Sequence, residues 1–353
     1  MAGNSFGKIF KIMTFGESHG KAVGVVVDGC PAGIQVEESD IQKELDRRRP
    51  GQSEITTPRD EKDEVEILSG IFEGKTTGTP ICMLVFNKDQ RSKDYSSVKD
   101  IFRPGHADYT YFMKYGIRDY RGGGRSSSRE TIGRVCAGAI AKKVLSCYNV
   151  DVFGYVTQVG KIKAEKFTKE DIEKNPVRCC DIEAAIKMYD FILDTKNKGD
   201  SVGGVVEITA KGVPVGLGEP VFDRLNAQIA KGIMSIPAVK GIEFGAGFKV
   251  AELFGSENND EISPYGFYSN NSGGTLGGIS TGQDIVFRFA VKPASSILIP
   301  KKTVDIHGNE KIAVTEGRHD PCVAPRVVPI AEAMTRIVLL DMLLIDRARE
   351  KFL

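Results

Sequence analysis

The residues best suited to chemistry fall in a few short segments. The densest is Arg121-Gly122-Gly123-Gly124-Arg125-Ser126-Ser127-Ser128-Arg129-Glu130-Thr131. Three glycines let the backbone approach a ligand closely. Three serines and the amides of a helix start suit a phosphate group. Guanidinium groups pair with phosphate and carboxylate through parallel hydrogen bonds, and a four-residue spacing puts Arg125 and Arg129 on one face of a helix. The segment is not a Walker loop, because no Gly-Lys-Ser/Thr follows the glycines. Nor is it a GxGxxG fingerprint opening a helix after a strand. The bland alternative, a solvated basic loop, rarely combines three Gly, three Ser and three Arg.

Three imidazoles sit in similarly compact settings. His19 lies in Gly16-Glu17-Ser18-His19-Gly20, flanked by a glycine and a serine, with a carboxylate two residues before it. An imidazole so placed exchanges protons near neutral pH. His106 follows a Pro-Gly turn in Arg103-Pro104-Gly105-His106-Ala107-Asp108, where Asp108 is expected to cap the next helix. His319 lies in Glu316-Gly317-Arg318-His319-Asp320-Pro321, where Asp320 before proline is held extended. Each of these has a purely structural alternative: a loop histidine bonded to its own turn, a helix-start motif, and an ion pair. His307 has no role beyond structure. Two further segments, Asn271 to Ser280 with its glycine pairs, and Lys292-Pro293-Ala294-Ser295-Ser296, suit a flat or phosphorylated ligand against a backbone platform, or otherwise tight turns. The run Arg47-Arg48-Arg49 either compensates a helix dipole or binds an anion.

These segments need a framework to bring them together. Alternation over residues 23–29, 65–70, 202–210 and 284–291 predicts strands with one wet face. Helices are expected over 40–49 with Ser39 as cap, and from a Ser127/Glu130 capping box to about residue 148. Further helices are expected over 181–196, 223–234 and 324–351. Strands and helices do not alternate strictly, which favours an α+β fold with antiparallel sheets over a doubly wound parallel one. The 353 residues allow one large domain or two ordinary ones.

Composition narrows the function classes. Lys and Arg total 48 against 47 Asp and Glu, so no global charge argues for nucleic acid. The seven cysteines contain no CxxC pair, which suggests neither a disulfide framework nor a zinc site, and no metal-ligand spacing is present. No apolar run approaches a membrane span and the first residues lack the apolar segment of a secretory signal. A cytoplasmic protein is expected.

Taken in order and with their spacing, GESHG, RPGHADYTY, RGGGRSSSRET, GVPVGLGEPVFDRL, GGTLGGIS and GRHDP resemble the signature segments of the chorismate synthase family across essentially the whole chain. The resemblance implies a single α+β domain spanning residues 1–353, with helices sandwiched between antiparallel sheets, assembled as a homotetramer. It implies anti-1,4-elimination of phosphate from 5-enolpyruvylshikimate 3-phosphate, with no net redox change but with reduced FMN required as a transient electron donor. His19 is then the acid toward the leaving phosphate, and His106 stabilises the reduced flavin. Asp320 helps, through the flavin, to take the substrate proton. Arg48, Arg129 and Arg318 are implied substrate contacts. Arg125, Ser126, Ser127, Ala238, Gly277, Lys292, Pro293, Ala294, Ser295, Ser296 and Arg318 are implied flavin contacts. Where a member reduces its own flavin with NADPH, Arg48 is also an implied NADPH contact. Two positions depart from the family pattern. Glu54 replaces an arginine and cannot pair with phosphate, and Pro237 replaces an asparagine and offers no backbone N–H. A flavin reductase using NADPH would share the flavin site but would need a hydride-donor pocket. A nucleic-acid-binding protein using the arginine loops is opposed by the neutral charge and by the lack of interleaved aromatics.

Overall fold

In β2 (Lys11–Gly16) buried and exposed side chains alternate, and in β3 (Ala22–Asp28) Val23, Val25 and Val27 face inward. That period of two gives a sheet with one face toward a core. A computed structural model describes residues 3–57, 61–88, 99–315 and 319–349. The first sheet adds β1 (Ser5–Phe6), β4 (Val65–Ile67) and β5 (Ile81–Phe86), in the order β1-β2-β3-β5-β4, every pair antiparallel. The second sheet contains β6 (Asp151–Val159), β7 (Ile162–Lys163), β8 (Gly204–Lys211), β9 (Val239–Phe244) and β10 (Ile285–Val291). Its order is β9-β10-β8-β6-β7, again antiparallel throughout.

The main helices follow in chain order. They are α1 (Glu38–Arg48), α2 (Asp108–Tyr115), α3 (Thr131–Ser146), α4 (Ile182–Asn197), α5 (Leu225–Met234) and α6 (Ala324–Arg347). Helix α3 lies on the first sheet, α6 lies on the second, and the two pack against each other. The α+β sandwich expected from the sequence is the architecture found. Glycines set the spacing of its layers. A Cβ on Gly138 would come within 2.3 Å of Ala333 Cβ on α6, and one on Gly133 within 2.9 Å of the Gly24 carbonyl on β3. Helix α6 is buried on nearly every side, as expected for a central helix apolar all round.

The polar groups on α6 are paired. Glu332 accepts from Arg47 Nη2 at 3.0 Å, Arg336 Nη2 at 3.1 Å and the Gly154 N–H at 2.9 Å. Arg336 also bonds Glu44 on α1 at 2.9 Å. Buried charge is tolerated only with such partners. Asp341 accepts the consecutive N–H groups of Lys8, Ile9 and Phe10 at 2.8–3.0 Å, fastening the loop between β1 and β2 to α6.

Several local expectations are corrected. Helix α1 begins after Glu37 rather than Ser39, because the Asp40 carboxylate accepts the Glu37 N–H at 3.1 Å. Ser127 does act as a cap, but for a 3-10 turn (Ser128–Glu130), accepting the Arg129 N–H at 3.3 Å. Glu130 does not close a capping box. It bonds Thr14 Oγ1 at 2.9 Å and Arg134 at 3.0 Å instead. Asp108 does not cap α2, since Arg103 holds both of its carboxylate oxygens at 2.7 and 2.8 Å. The last helix ends at Arg347, short of residue 351.

Candidate active site

Loops from both sheets and the starts of α3 and α6 enclose one cleft of about 1340 Å³. Its walls carry eleven lysines and arginines against five carboxylates among the described residues. A cavity so biased suits a polyanion. His19, His106, Asp320, Arg48, Arg129, Arg125, Ser126, Ser127, Ala238 and all of Lys292 to Ser296 line it, as does His319. Gly277 does not. It turns the hairpin between Thr275–Leu276 and Ile279–Ser280 and is absent from the cleft wall of this chain. Arg318, with Glu316 and Gly317, lies outside the described residues.

His19 is buried at the end of the turn after β2, where its Nδ1 and the Ser18 hydroxyl share a hydrogen bond of 3.0 Å. Gly122 approaches the same ring so closely that a Cβ there would stand 2.4 Å from Nδ1. The glycine triplet therefore does two things: it brings backbone to the ligand side and leaves room for an imidazole.

His106 is fixed in the turn before α2, on the same cleft. Its Nδ1 lies 3.2 Å from the Pro104 carbonyl, and its Nε2 lies 2.8 Å from Ser296 Oγ. A carbonyl only accepts, so Nδ1 carries hydrogen. Burial, with Arg103 nearby, lowers the imidazole pKa to about 4 and keeps the ring neutral in the free cleft. The surrounding loops are tied together. The Lys292 N–H donates to the Ala238 carbonyl at 2.9 Å, and Lys292 Nζ and Ser295 Oγ both donate to the Gly105 carbonyl at 3.0 and 2.8 Å. Ala238 holds a left-handed φ of 74°, a conformation a non-glycine residue adopts at a cost. Pro237 precedes it on the wall.

Arg125 and Arg129 do not share a helical face. The extended backbone of Ser127 separates two 3-10 turns and sends the side chains apart. Arg125 donates to the Gly16 carbonyl at 3.1 Å and to the Thr14 carbonyl and hydroxyl at 3.1 and 2.8 Å. Arg129 instead bonds Asp63, Glu61 and Asn87. Arg48, the one member of Arg47-Arg48-Arg49 on the cleft, bonds Asp63 at 2.8 Å and the Ser128 carbonyl at 3.0 Å. Arg47 is spent on the α6 network, and Arg49 pairs only weakly with Asp46 at 3.9 Å. Asp320 accepts the Thr57 N–H at 2.9 Å and pairs with Arg326.

Reading the sequence missed Asp63, Glu61, Thr57 and Arg326, which meet the named residues across long separations. It also missed the cleft lysines Lys11, Lys231 and Lys240. Glu54 lies outside the cleft wall. Its carboxylate accepts the Tyr189 hydroxyl at 3.2 Å, on the side of α4. The departure at that position therefore leaves the cleft charge untouched.

A family model described as Chorismate synthase matches residues 10–344. The chain is 59% identical over 354 residues to a chorismate synthase of Methanosarcina mazei, covering 98% of this chain and 97% of that one. It is 56% identical over 349 residues to a chorismate synthase of Francisella tularensis subsp. novicida, covering 99% of each. A solved structure described as the crystal structure of chorismate synthase superposes with a TM-score of 0.77 at 33% identity, over 96% of this chain and 93% of that one.

Proposed function

The chain belongs to the chorismate synthase family, a family of lyases, and from that premise we propose that it converts 5-enolpyruvylshikimate 3-phosphate to chorismate and phosphate in a flavin-dependent 1,4-elimination. The carrying observation is the single cationic cleft that gathers His19, His106, Asp320, Arg48 and Arg129. In the elimination a C–O bond to phosphate breaks, a C–H proton leaves, and the electron pair of that bond becomes the new double bond. Phosphate departure needs positive charge and a proton donor. Arg48 and Arg129 supply the charge, and His19, oriented through Nδ1 by Ser18, supplies the proton. Asp320, fixed by the Thr57 N–H, is the wall group that helps to take the carbon-bound proton.

The walls fit a flat polyanionic cofactor. Residues 104–106, 238 and 292–296 form one hydrogen-bonded platform beside His106, and Arg125 to Ser127 line the same cleft. These residues would hold reduced FMN, which would supply transient, net redox-neutral electron donation. His106 would hold the anionic ring of that cofactor. Negative charge placed against a buried imidazole favours its protonated form and opposes the effect of burial. Arg318 remains a proposed contact by resemblance alone.

Reading residues 1–353 as one catalytic domain is supported by α3 and α6, which join the two sheets. A homotetramer is supported by the outer face of the first sheet, where Met13, Phe15 and Phe86 stand exposed. A cytoplasmic location is consistent with seven unpaired cysteines. Among the described residues no helix is long and apolar enough to cross a membrane.

The deciding experiment is an anaerobic assay with photoreduced FMN and 5-enolpyruvylshikimate 3-phosphate, following chorismate and phosphate together. Equal yields of both, absent without reduced flavin, are expected. Absence of product from folded, flavin-binding protein would refute the proposal. Repeating the assay with oxidised FMN and NADPH tests the second activity, intrinsic flavin reduction.

A further inference from the structure

Asp63 touches two cleft arginines, yet the reaction outlined above makes no use of it. Its side chain is completely buried. Oδ2 accepts from Arg48 Nη1 at 2.8 Å and Oδ1 accepts from Arg129 Nη1 at 2.9 Å. Arg48 comes from the last turn of α1 and Arg129 from the 3-10 turn ahead of α3. One carboxylate thus joins two elements that each deliver a guanidinium to the same cavity. Both arginines line the cleft, whereas Asp63 lies behind them. Its φ of 49° places it in the left-handed region, which an aspartate tolerates better than most residues.

The geometry restricts what the arginines can do. A guanidinium offers five N–H groups in one rigid plane, so holding its rear edge fixes the direction of the front edge. For Arg48 the rear partners are Asp63, the Ser128 carbonyl and, at 3.4 Å, Thr131 Oγ1. For Arg129 they are Asp63 and Asn87. Glu61 also pairs with Arg129, but it stands on the cleft wall, where an incoming anion meets it. Among the partners of Arg48, Asp63 is the group that most opposes the effect of burial on its charge.

We propose that Asp63 is a positioning residue: it sets the spacing and direction of Arg48 and Arg129 toward the anionic groups of the substrate, and so governs substrate affinity rather than flavin affinity. This rests on the reading of Arg48 and Arg129 as substrate contacts. An amide at position 63 keeps one acceptor but turns an N–H toward the other guanidinium, which releases that arginine from its fixed plane.

The test uses the full chain with reduced FMN. For Asp63→Asn, KM for 5-enolpyruvylshikimate 3-phosphate and Ki for inorganic phosphate are both expected to rise about tenfold or more, and kcat to fall as well because the same arginines serve the departing phosphate, with the FMN Kd within about twofold of the parent. An unchanged KM in the folded variant overturns the proposal. So does a loss in which kcat and flavin affinity fall together while KM stays fixed, since that is the mark of a merely structural role. If Asp63→Asn gives no folded protein, Asp63→Glu is measured with the same expectations, because it keeps the charge but displaces both guanidiniums. An unchanged KM there is equally fatal. Arg48→Ala and Arg129→Ala are assayed in parallel. If they raise KM and Asp63→Asn does not, only the role of Asp63 falls. If neither raises KM or the phosphate Ki, the substrate assignment of the arginines falls first and takes the proposal with it.

Discussion

His106 Nε2 and Ser296 Oγ stand 2.8 Å apart although 190 residues separate them. Because Nδ1 faces the Pro104 carbonyl, the neutral ring receives the serine proton at Nε2, and a protonated ring reverses that bond. The charge state of His106 therefore decides which way the Ser296 hydroxyl points.

This has a pH consequence in the flavin-free protein. The folded imidazole titrates near 4, below its ordinary value of 6.5, chiefly because it is buried. As pH falls through 6.5, the unfolded chain takes up a proton that the folded chain refuses. His106 thus contributes stability in full above about pH 6.5, and that contribution is lost as pH falls toward 4. Urea titrations at pH 7.5 and pH 5 should show a larger stability loss in the parent than in His106→Ala. Equal losses would contradict the buried, neutral assignment.

For turnover, His19→Ala should lower kcat by about 10²–10⁴-fold, the usual contribution of a positioned proton-transfer group, and His106→Ala should also lower it severely, through loss of the group that stabilises the reduced flavin. Both proteins should keep the circular dichroism spectrum and unfolding behaviour of a folded chain. Retention of most activity by both would remove the imidazoles from the mechanism.

The groups the sequence made legible are those whose setting is local. His19, His106 and Asp320 announce themselves through adjacent Gly, Ser and Pro, and the amphipathic pattern over 181–196 is likewise local, with α4 found there behind Asp181, which accepts the Glu183 and Ala184 N–H groups. What stayed hidden depends on pairing at a distance. Asp63 lies 15 residues from Arg48 and 66 from Arg129, and nothing in the stretch around it distinguishes it from a surface acid. The four-residue spacing of Arg125 and Arg129 misled because it presumes continuous helix, and the extended backbone of Ser127 interrupts it. Gly277 turns a hairpin away from the cleft wall of this chain, and a glycine pair serves such a hairpin as readily as a ligand platform.

Arg125 shows how a candidate ligand residue also carries the fold. Its guanidinium ties the 3-10 turn (Gly124–Ser126) to β2 through the Gly16 and Thr14 carbonyls. Arg125→Ala removes charge-assisted bonds, each contributing roughly 1.5–3 kcal/mol. Both the unfolding midpoint and FMN affinity should drop. Lys351→Ala, distant in sequence, should leave flavin affinity unchanged. Equal FMN Kd values for the two variants would contradict the placement of Arg125 on the flavin wall.

Gly122 offers the sharpest probe of geometry, because its substitution alters no charge. Its φ of 146° lies in the left-handed half of backbone space, and a Cβ would sit 2.4 Å from His19 Nδ1. The ring cannot stay where it is, and the backbone cannot easily yield, since the Gly122 carbonyl accepts from buried Arg103 at 3.3 Å. Gly122→Ala should therefore push the imidazole away from Ser18 and the leaving phosphate. A displacement of about 1 Å is enough to cost on the order of 100-fold in rate. The expected signature is a lower kcat with FMN affinity near that of the parent, because the platform of residues 292–296 is held by Gly105, His106 and Ala238 rather than by Gly122. Parallel loss of flavin binding would show instead that the whole loop had moved, and that Gly122 serves the fold rather than the position of His19.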